Sequence, residues 1–259
     1  VYVQNYDLVI KDFIDRYNKY KDNSVYLYSI FEAKKRPSKL DTNEKRRKLR
    51  DTSQQKFDEE MDKDTPDLNL IEKLSKQVVG IDDNLLEELY NRLKDFNIPF
   101  SVADYEGEHG CVLHYRQQKF DYVVSVDSDL LVHTDIKTIL KPNYHSGEGI
   151  LFDFNNPHIM YTECPLYPAI KGSTFEHAIM SYALIAGNDY LKIKGLGPSS
   201  ALSLVNNLDL KTDKDNILNS LAISLYKNKR FNNKNPDMTI KEIVDMITIA
   251  WKGFYEPLQ

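Results

Sequence analysis

Five carboxylates fall in three short stretches of the chain. Glu106 and Glu108 stand in YEGEHG, Asp127 and Asp129 in VVSVDSD, and Asp189 in AGNDYL. Carboxylates crowded on one patch repel each other and raise each other's pKa values unless a cation neutralises them. An all-oxygen set suits a hard ion such as Mg2+ or Mn2+, and the sequence holds no His/Cys set spaced for zinc. Members of an i, i+2 pair share one face where the chain is extended. Either pair alone reads as a turn or a cap. Three acidic groups at the ends of predicted strands or helices read together as an ion-binding patch. His109 and His133 lie near these stretches and, as single histidines, read as surface or packing residues.

Two further stretches could grip phosphate. IKGLGPSS (193–200) is a Gly-containing turn that opens onto a helix, PSSALSLVNN. Gly195 and Gly197 permit close backbone approach, Pro198 suits a first helical turn, and the amides around Ser199 are placed for an anion. Between Lys34 and Arg50 nine Lys or Arg stand against two acids, Lys39, Lys45, Arg46, Arg47 and Arg50 among the nine. The next stretch, DEEMDKDTPD (58–67), swings acidic. In a chain of net charge −5, such asymmetry suits phosphates held in one place and carboxylates in another, or else a solvated helix face.

The elements that must position these residues alternate. Helices are predicted over 6–20, 43–62, 69–77, 82–96 and 108–118, and strands over 24–31, 98–104 and 120–127, where VVSV reads as buried. The 43–62 segment is polar, has almost no apolar face, and is expected to stand out from the core. Residues 136–171 are of mixed character, and the chain then turns all-helical. This order predicts an α/β fold with a mostly parallel central sheet flanked by helices, whose ligand sites lie at the carboxyl ends of the strands. With 259 residues, 41% hydrophobic and 28% charged, the chain can bury a core as one large domain or two small ones. Cys111 and Cys164 lack metal-ligand spacing and fit a reducing, intracellular setting, without deciding between nucleus and cytoplasm. No signal peptide is seen and no apolar run approaches 18 residues, so no membrane span is expected.

Taken in order, these stretches resemble the flap endonuclease/XPG family of structure-specific 5′ nucleases, within the PIN-like nuclease superfamily. IPFSVADYEGEHGC resembles its strand and E-A-E-A motif, VVSVDSDLLVH its D-x-D-x-L motif, IAGNDYLKIKGLGPSSALSLV its G-x-D-Y and G-I-G-P hairpin, and RPSKLDTNEKRRKLR the basic start of its helical arch. The resemblance implies a nuclease core over 1–170, with the arch at about 34–96. It implies a helix-hairpin-helix region of the H3TH type over 171–259 that completes the active site. It implies hydrolysis of branched or 5′-ended DNA by two Mg2+ ions, for which Mn2+ can substitute, held by Glu32, Glu106, Glu108, Asp127, Asp129 and Asp189. Lys39 and Arg46 would then be catalytic, neutralising the scissile phosphate. Lys45, Arg47, Arg50, Gly195, Gly197 and Ser199 would contact nucleic acid, with a K+ ion at the 193–199 hairpin.

The chain departs from the family at two carboxylates. The first either precedes Val1 or is replaced by Gln4. The second aligns with Ser29 or with Glu32, and Glu32 is preferred because only it is an acid. YEGEHG and AGNDYL lean toward the related 5′→3′ exoribonucleases, which lack the hairpin. An RNA-cutting member and a catalytically impaired nucleic-acid-binding subunit are therefore the alternative readings. The C-terminal GFYEPLQ contains no sliding-clamp box.

Overall fold

The computed structural model describes residues 6–32, 40–78, 83–104, 106–118, 120–143, 146, 148–154, 175–211 and 213–255. The chain divides into two compact units, Val1–Tyr105 and Glu106–Gln259. The division expected at 170/171 falls in residues 155–174, outside the described ones.

In the first unit, α1 is Tyr6–Asp22 and α4 is Asp83–Asp95, and each carries apolar residues at helical spacing. Ile10, Ile14 and Tyr17 meet Leu85, Leu89, Leu93 and Ile98 in a buried cluster. Full burial of a Leu or Ile side chain is worth about 1.5–3 kcal/mol. Both helices end the same way. Ser24 (φ 61°) and Asn97 (φ 52°) adopt the left-handed conformation, and the next amides, Val25 and Ile98, donate back to Tyr20 and Leu93 carbonyls at 2.9 and 2.8 Å. Such a stop satisfies carbonyls that the helix leaves unpaired and turns the chain toward the strand that follows. The strands are β1 (Ser29–Glu32) and β2 (Phe100–Ala103), paired parallel with Ser29 opposite Phe100 and Glu32 opposite Ala103. Phe31, Tyr90 and Phe100 pack ring to ring beside them.

Among the described residues the polar helix α2 (Leu40–Met61) contributes nothing to the buried core clusters. It packs on α3 (Leu68–Val78). Ser53 Oγ donates to Gln77 Oε1 at 3.0 Å, and the buried Glu60 carboxylate accepts from Lys63 Nζ and the Asp67 amide at 2.7 and 3.0 Å. The Ser53–Gln77 bond joins the two helices, the Glu60 bonds close the turn between them, and α3 buries Ile71 and Leu74.

The second unit opens with α5 (Gly107–Gln118), β3 (Val123–Ser125) and a 3-10 helix at Ser128–Val132. Within 136–171, read as mixed, lie two strands, β4 (Thr138–Asn143) and β5 (Glu148–Phe152). β4 pairs parallel with β3 and antiparallel with β5. Among the described residues the expected single sheet is thus two small ones, each with a parallel pair. β3 lies at the edge of its sheet, so VVSV is not a buried strand: Val123 is buried, but Val124 is 40% and Val126 71% exposed. Val112, Val123, Leu130 and Ile136 close a small core, and Arg116 clamps Asp135 through two bonds of 2.7 and 2.9 Å.

Among the described residues five helices follow: α6 (Phe175–Ala186), α7 (Pro198–Asn206), α8 (Lys214–Lys227), α9 (Lys229–Lys234) and α10 (Ile240–Tyr255). Their buried faces, including Leu184, Val205, Leu221, Leu225, Phe231, Ile243 and Ile247, make the larger core, which Val132 joins. Thr239 and Glu242 cap α10 reciprocally, a T-x-x-E box visible in the sequence. Among the described residues no helix is long and apolar enough to cross a membrane.

His133, 3% exposed, stacks edge-on to Tyr255 and faces the His109 ring. Burial, with the neighbouring His109 and Arg116, pushes its imidazole down to about 4. It therefore folds neutral, and its unfolded form takes up a proton near pH 6.5. The resulting stability is complete above about pH 6.5 and lost as pH falls toward 4, at most about 3 kcal/mol by proton linkage. Urea unfolding between pH 7 and 4 should show His133→Gln losing stability less steeply than the wild type. Parallel curves would refute the assignment.

Candidate active site and nucleic-acid interface

Glu106 immediately precedes α5, and its carbonyl accepts the helix's early Gly110 amide at 3.2 Å. Its side chain is 3% exposed. Tyr190 Oη donates to Glu106 Oε2 at 2.7 Å, and His109 Nδ1 lies 4.0 Å from the same oxygen. His109 Nε2 is 3.0 Å from the Phe254 carbonyl, which only accepts, so Nε2 carries a proton. The buried carboxylate is thereby hydrogen-bonded to the segment after α6, and His109, whose Nε2 reaches the end of α10, stands beside it. Glu108 lies in the first turn of α5, half-buried. Burial, then the charge of Glu108, pushes the Cys111 thiol up to about 11. It stays protonated near neutrality and is no nucleophile.

Asp127 and Asp129 are not an extended i, i+2 pair. The strand ends at Ser125, and Asp127 caps the 3-10 helix, its Oδ1 accepting the Asp129 amide at 2.9 Å. Its own amide donates to Ser125 Oγ at 3.0 Å. Glu106 and Glu108 likewise sit at a helix start rather than along a strand. The cap geometry that explains one D-x-D pair in isolation is therefore present here, and both acids remain half-buried.

Asp189 stands in a turn held by its neighbour. Gly187 takes φ 101°, and Asn188 Nδ2 donates to the Ala183 carbonyl at 2.9 Å. Asn188 Oδ1 accepts the Tyr190 and Leu191 amides, both at 2.8 Å. The turn delivers Asp189 half-buried and aims Tyr190 at Glu106.

The second unit thus holds Glu106, Glu108, Asp127, Asp129 and Asp189. In type these donors fit a hard divalent ion. Among the described residues no three His, Cys, Asp or Glu side chains converge as ligands of one ion. Mg2+ requires only one or two carboxylates, with waters and substrate phosphate completing its shell, so the donor set fits that ion.

The other expected residues lie in the first unit. Glu32 is exposed at the end of β1, and Ser29 opens that strand half-buried. On α2, Lys45 and Arg47 are exposed and Arg50 is half-buried. Arg46 lies on α2, its side chain outside the described set; Gln4 and Lys39 lie outside the described residues.

The two hairpin glycines differ. Gly195 has φ 86°, and a Cβ there would meet the Arg230 carbonyl oxygen at 2.8 Å. Close approach at Gly195 is therefore to the chain's own α9. Gly197 is extended, and a Cβ there would meet nothing within 4 Å. It precedes Pro198 and the exposed Ser199, and no side chain caps α7. An open groove of about 470 Å3 adjoins this turn, lined in part by Ser199, Ser203, Asn207, Asn228, Lys229 and Arg230. Lys229 and Arg230 were not singled out in the sequence. Their signal was Asn228, whose side chain caps α9 by accepting the Arg230 and Phe231 amides. Tyr190 was also overlooked, though it directly follows Asp189.

No family model matches the chain. It is 26% identical over 213 residues to flap endonuclease 1 of Methanococcus aeolicus, covering 81% of this chain and 61% of that protein. It is 28% identical over 186 residues to flap endonuclease 1 of Pyrenophora tritici-repentis, covering 71% of this chain and 44% of that protein. The chain therefore spans about half of the length of these relatives. Its fold is similar to the catalytic core of Rad2 in complex with DNA substrate, with a TM-score of 0.60 and 16% identity over 96% of this chain and 71% of the other. Human GEN1 in complex with Holliday junction DNA gives a TM-score of 0.51 at 16% identity, over 96% of this chain and 52% of that one.

The unequal glycines are directly testable. Gly195→Ala forces a side chain into left-handed backbone and against a carbonyl, and should cost about 1–3 kcal/mol of unfolding free energy. Gly197→Ala should stay within about 0.5 kcal/mol of wild type. Urea titration of both variants checks this, and equal losses would contradict the geometry.

Proposed function

We propose, from its similarity to the flap endonuclease 1 relatives, that the chain belongs to the flap endonuclease/XPG family of PIN-like nucleases and is a structure-specific nuclease hydrolysing phosphodiester bonds in branched or 5′-ended DNA. The observation that carries this reading is the placement of five acids in one compact unit, at the starts of α5 and the 3-10 helix and in the turn after α6. These acids would hold Mg2+ or Mn2+, with Glu32 as the sixth candidate, and the bound ions would supply activation of water and charge stabilisation at the phosphate.

The rest of the reading concerns what the chain's own groups do. The α7 amides, the open Gly197 and the Ser199–Arg230 groove would follow duplex backbone, with K+ at the 193–199 turn as part of the proposal. Lys39, Arg46 and the exposed basic residues of α2 would grip a single strand as an arch. RNA remains the alternative substrate, favoured by YEGEHG and AGNDYL, and cleavage of matched DNA and RNA flaps side by side decides between them. A binding subunit without activity would instead hold nucleic acid in a salt-sensitive way and cut neither.

Asp127 caps a helix, so its removal costs stability as well as chemistry. Asp129 and Asp189 give the cleaner test. Asp129→Ala or Asp189→Ala should abolish cleavage of a 5′ flap while thermal unfolding stays close to wild type, and chelation should stop the wild type until Mg2+ is restored. Unchanged cleavage by both variants would sink the proposal. In the groove, Lys229→Ala and Arg230→Ala should each weaken duplex binding and reduce the slope of log K against log salt by about 1. A slope that does not change places the duplex elsewhere.

A further inference from the structure

The geometry points to Tyr190 as a positioning residue for Glu106. This inference rests on the reading of Glu106 as a site acid. Three observations support it. The Tyr190 hydroxyl donates to Glu106 Oε2 at 2.7 Å across 84 positions of sequence. The carboxylate is 3% exposed, so water does not orient it. The tyrosine is itself held from both ends. Its amide donates to Asn188 Oδ1 at 2.8 Å, and its ring packs edge-on to Phe254 at 5.1 Å.

A cradle in α10 completes the fit. A Cβ at Gly253 would come within 2.6–2.9 Å of the Tyr190 ring, so the ring occupies space that any larger residue would take. The hydroxyl therefore has little freedom, and the carboxylate it holds inherits its orientation. With one oxygen of Glu106 engaged by Tyr190, the direction in which the group can offer electron pairs is set. Tyr190 also directly follows Asp189 in the chain.

Residues that orient a metal-binding carboxylate typically contribute roughly 10–100-fold to metal affinity or activity. The test compares wild type, Tyr190→Phe and Glu106→Gln in the full chain. Mn2+ binding is read by electron paramagnetic resonance, together with kcat, KM for a DNA flap and thermal unfolding. Tyr190→Phe keeps the ring against Gly253 and Phe254, so folding should be near wild type. Support is a roughly 10–100-fold loss of Mn2+ affinity with a lowered kcat and an unchanged KM. Loss of affinity in Glu106→Gln with wild-type affinity and kcat in Tyr190→Phe overturns the positioning role and leaves the reading of Glu106 standing. A destabilised Tyr190→Phe with intact Mn2+ binding also overturns it, since the bond would then be structural only. Wild-type Mn2+ affinity and cleavage in Glu106→Gln overturn the reading of Glu106 and the inference with it.

Discussion

A buried carboxylate cannot be left alone, and the second unit is organised around meeting that constraint at Glu106. Withdrawing an ionised carboxylate from water costs several kcal/mol unless hydrogen bonds and charges replace the water. Tyr190 supplies the hydrogen bond, and the turn that carries Tyr190 is stiffened by three bonds to the Asn188 side chain. The ring of Tyr190 needs the absent side chain at Gly253, and His109 reaches the Phe254 carbonyl one residue further on. Glu106 thus links the start of α5 to the exit of α6, with His109 beside it reaching the end of α10, and Glu108 and Asp189 are mounted on the elements so joined.

The remaining acids are placed by helix starts. Glu108 lies in the first turn of α5 and Asp129 in the first turn of the 3-10 helix that Asp127 caps. A negative charge near a helix N-terminus gains about 0.3–1 kcal/mol from the exposed amides and the dipole. That gain offsets part of the repulsion among like charges without any ion. The fold can therefore hold the acids apart and half-buried, as donors for one or two contacts each, rather than as a closed cage.

Much of this was legible in the residues. α4, α8 and α10 announce themselves by apolar spacing, and the Thr239–Glu242 box marks where α10 begins. The acids could be picked out by type and by their place at element ends. Their backbone setting could not, because Asp127 can serve a strand end or a cap with the same sequence, and the choice depends on β3 stopping at Ser125. β4 and β5 escaped because their pattern is broken: Lys141 takes φ 50° and the register shifts between Leu140 and Asn143, while Ile150 and Leu151 are exposed. The Tyr190–Glu106 bond spans residues that share no local pattern, so only the folded chain brings it into view.

Net charge is a poor guide to what such a chain can hold. At physiological salt, charges further apart than about 8 Å are largely screened, so a phosphate backbone responds to nearby groups rather than to a total of −5. In the second unit the exposed positions near the Gly195–Ser199 turn include Lys192, Lys194, Lys229, Arg230 and Lys234. The five candidate site acids of the same unit, by contrast, are half-buried or buried. The hydrogen bonds that Asp127 and Glu106 accept offset part of their charge, while the basic residues at the turn stay exposed to water. An acidic chain can in this way present exposed basic residues at one turn and hold a few of its carboxylates half-buried or buried elsewhere in the same unit.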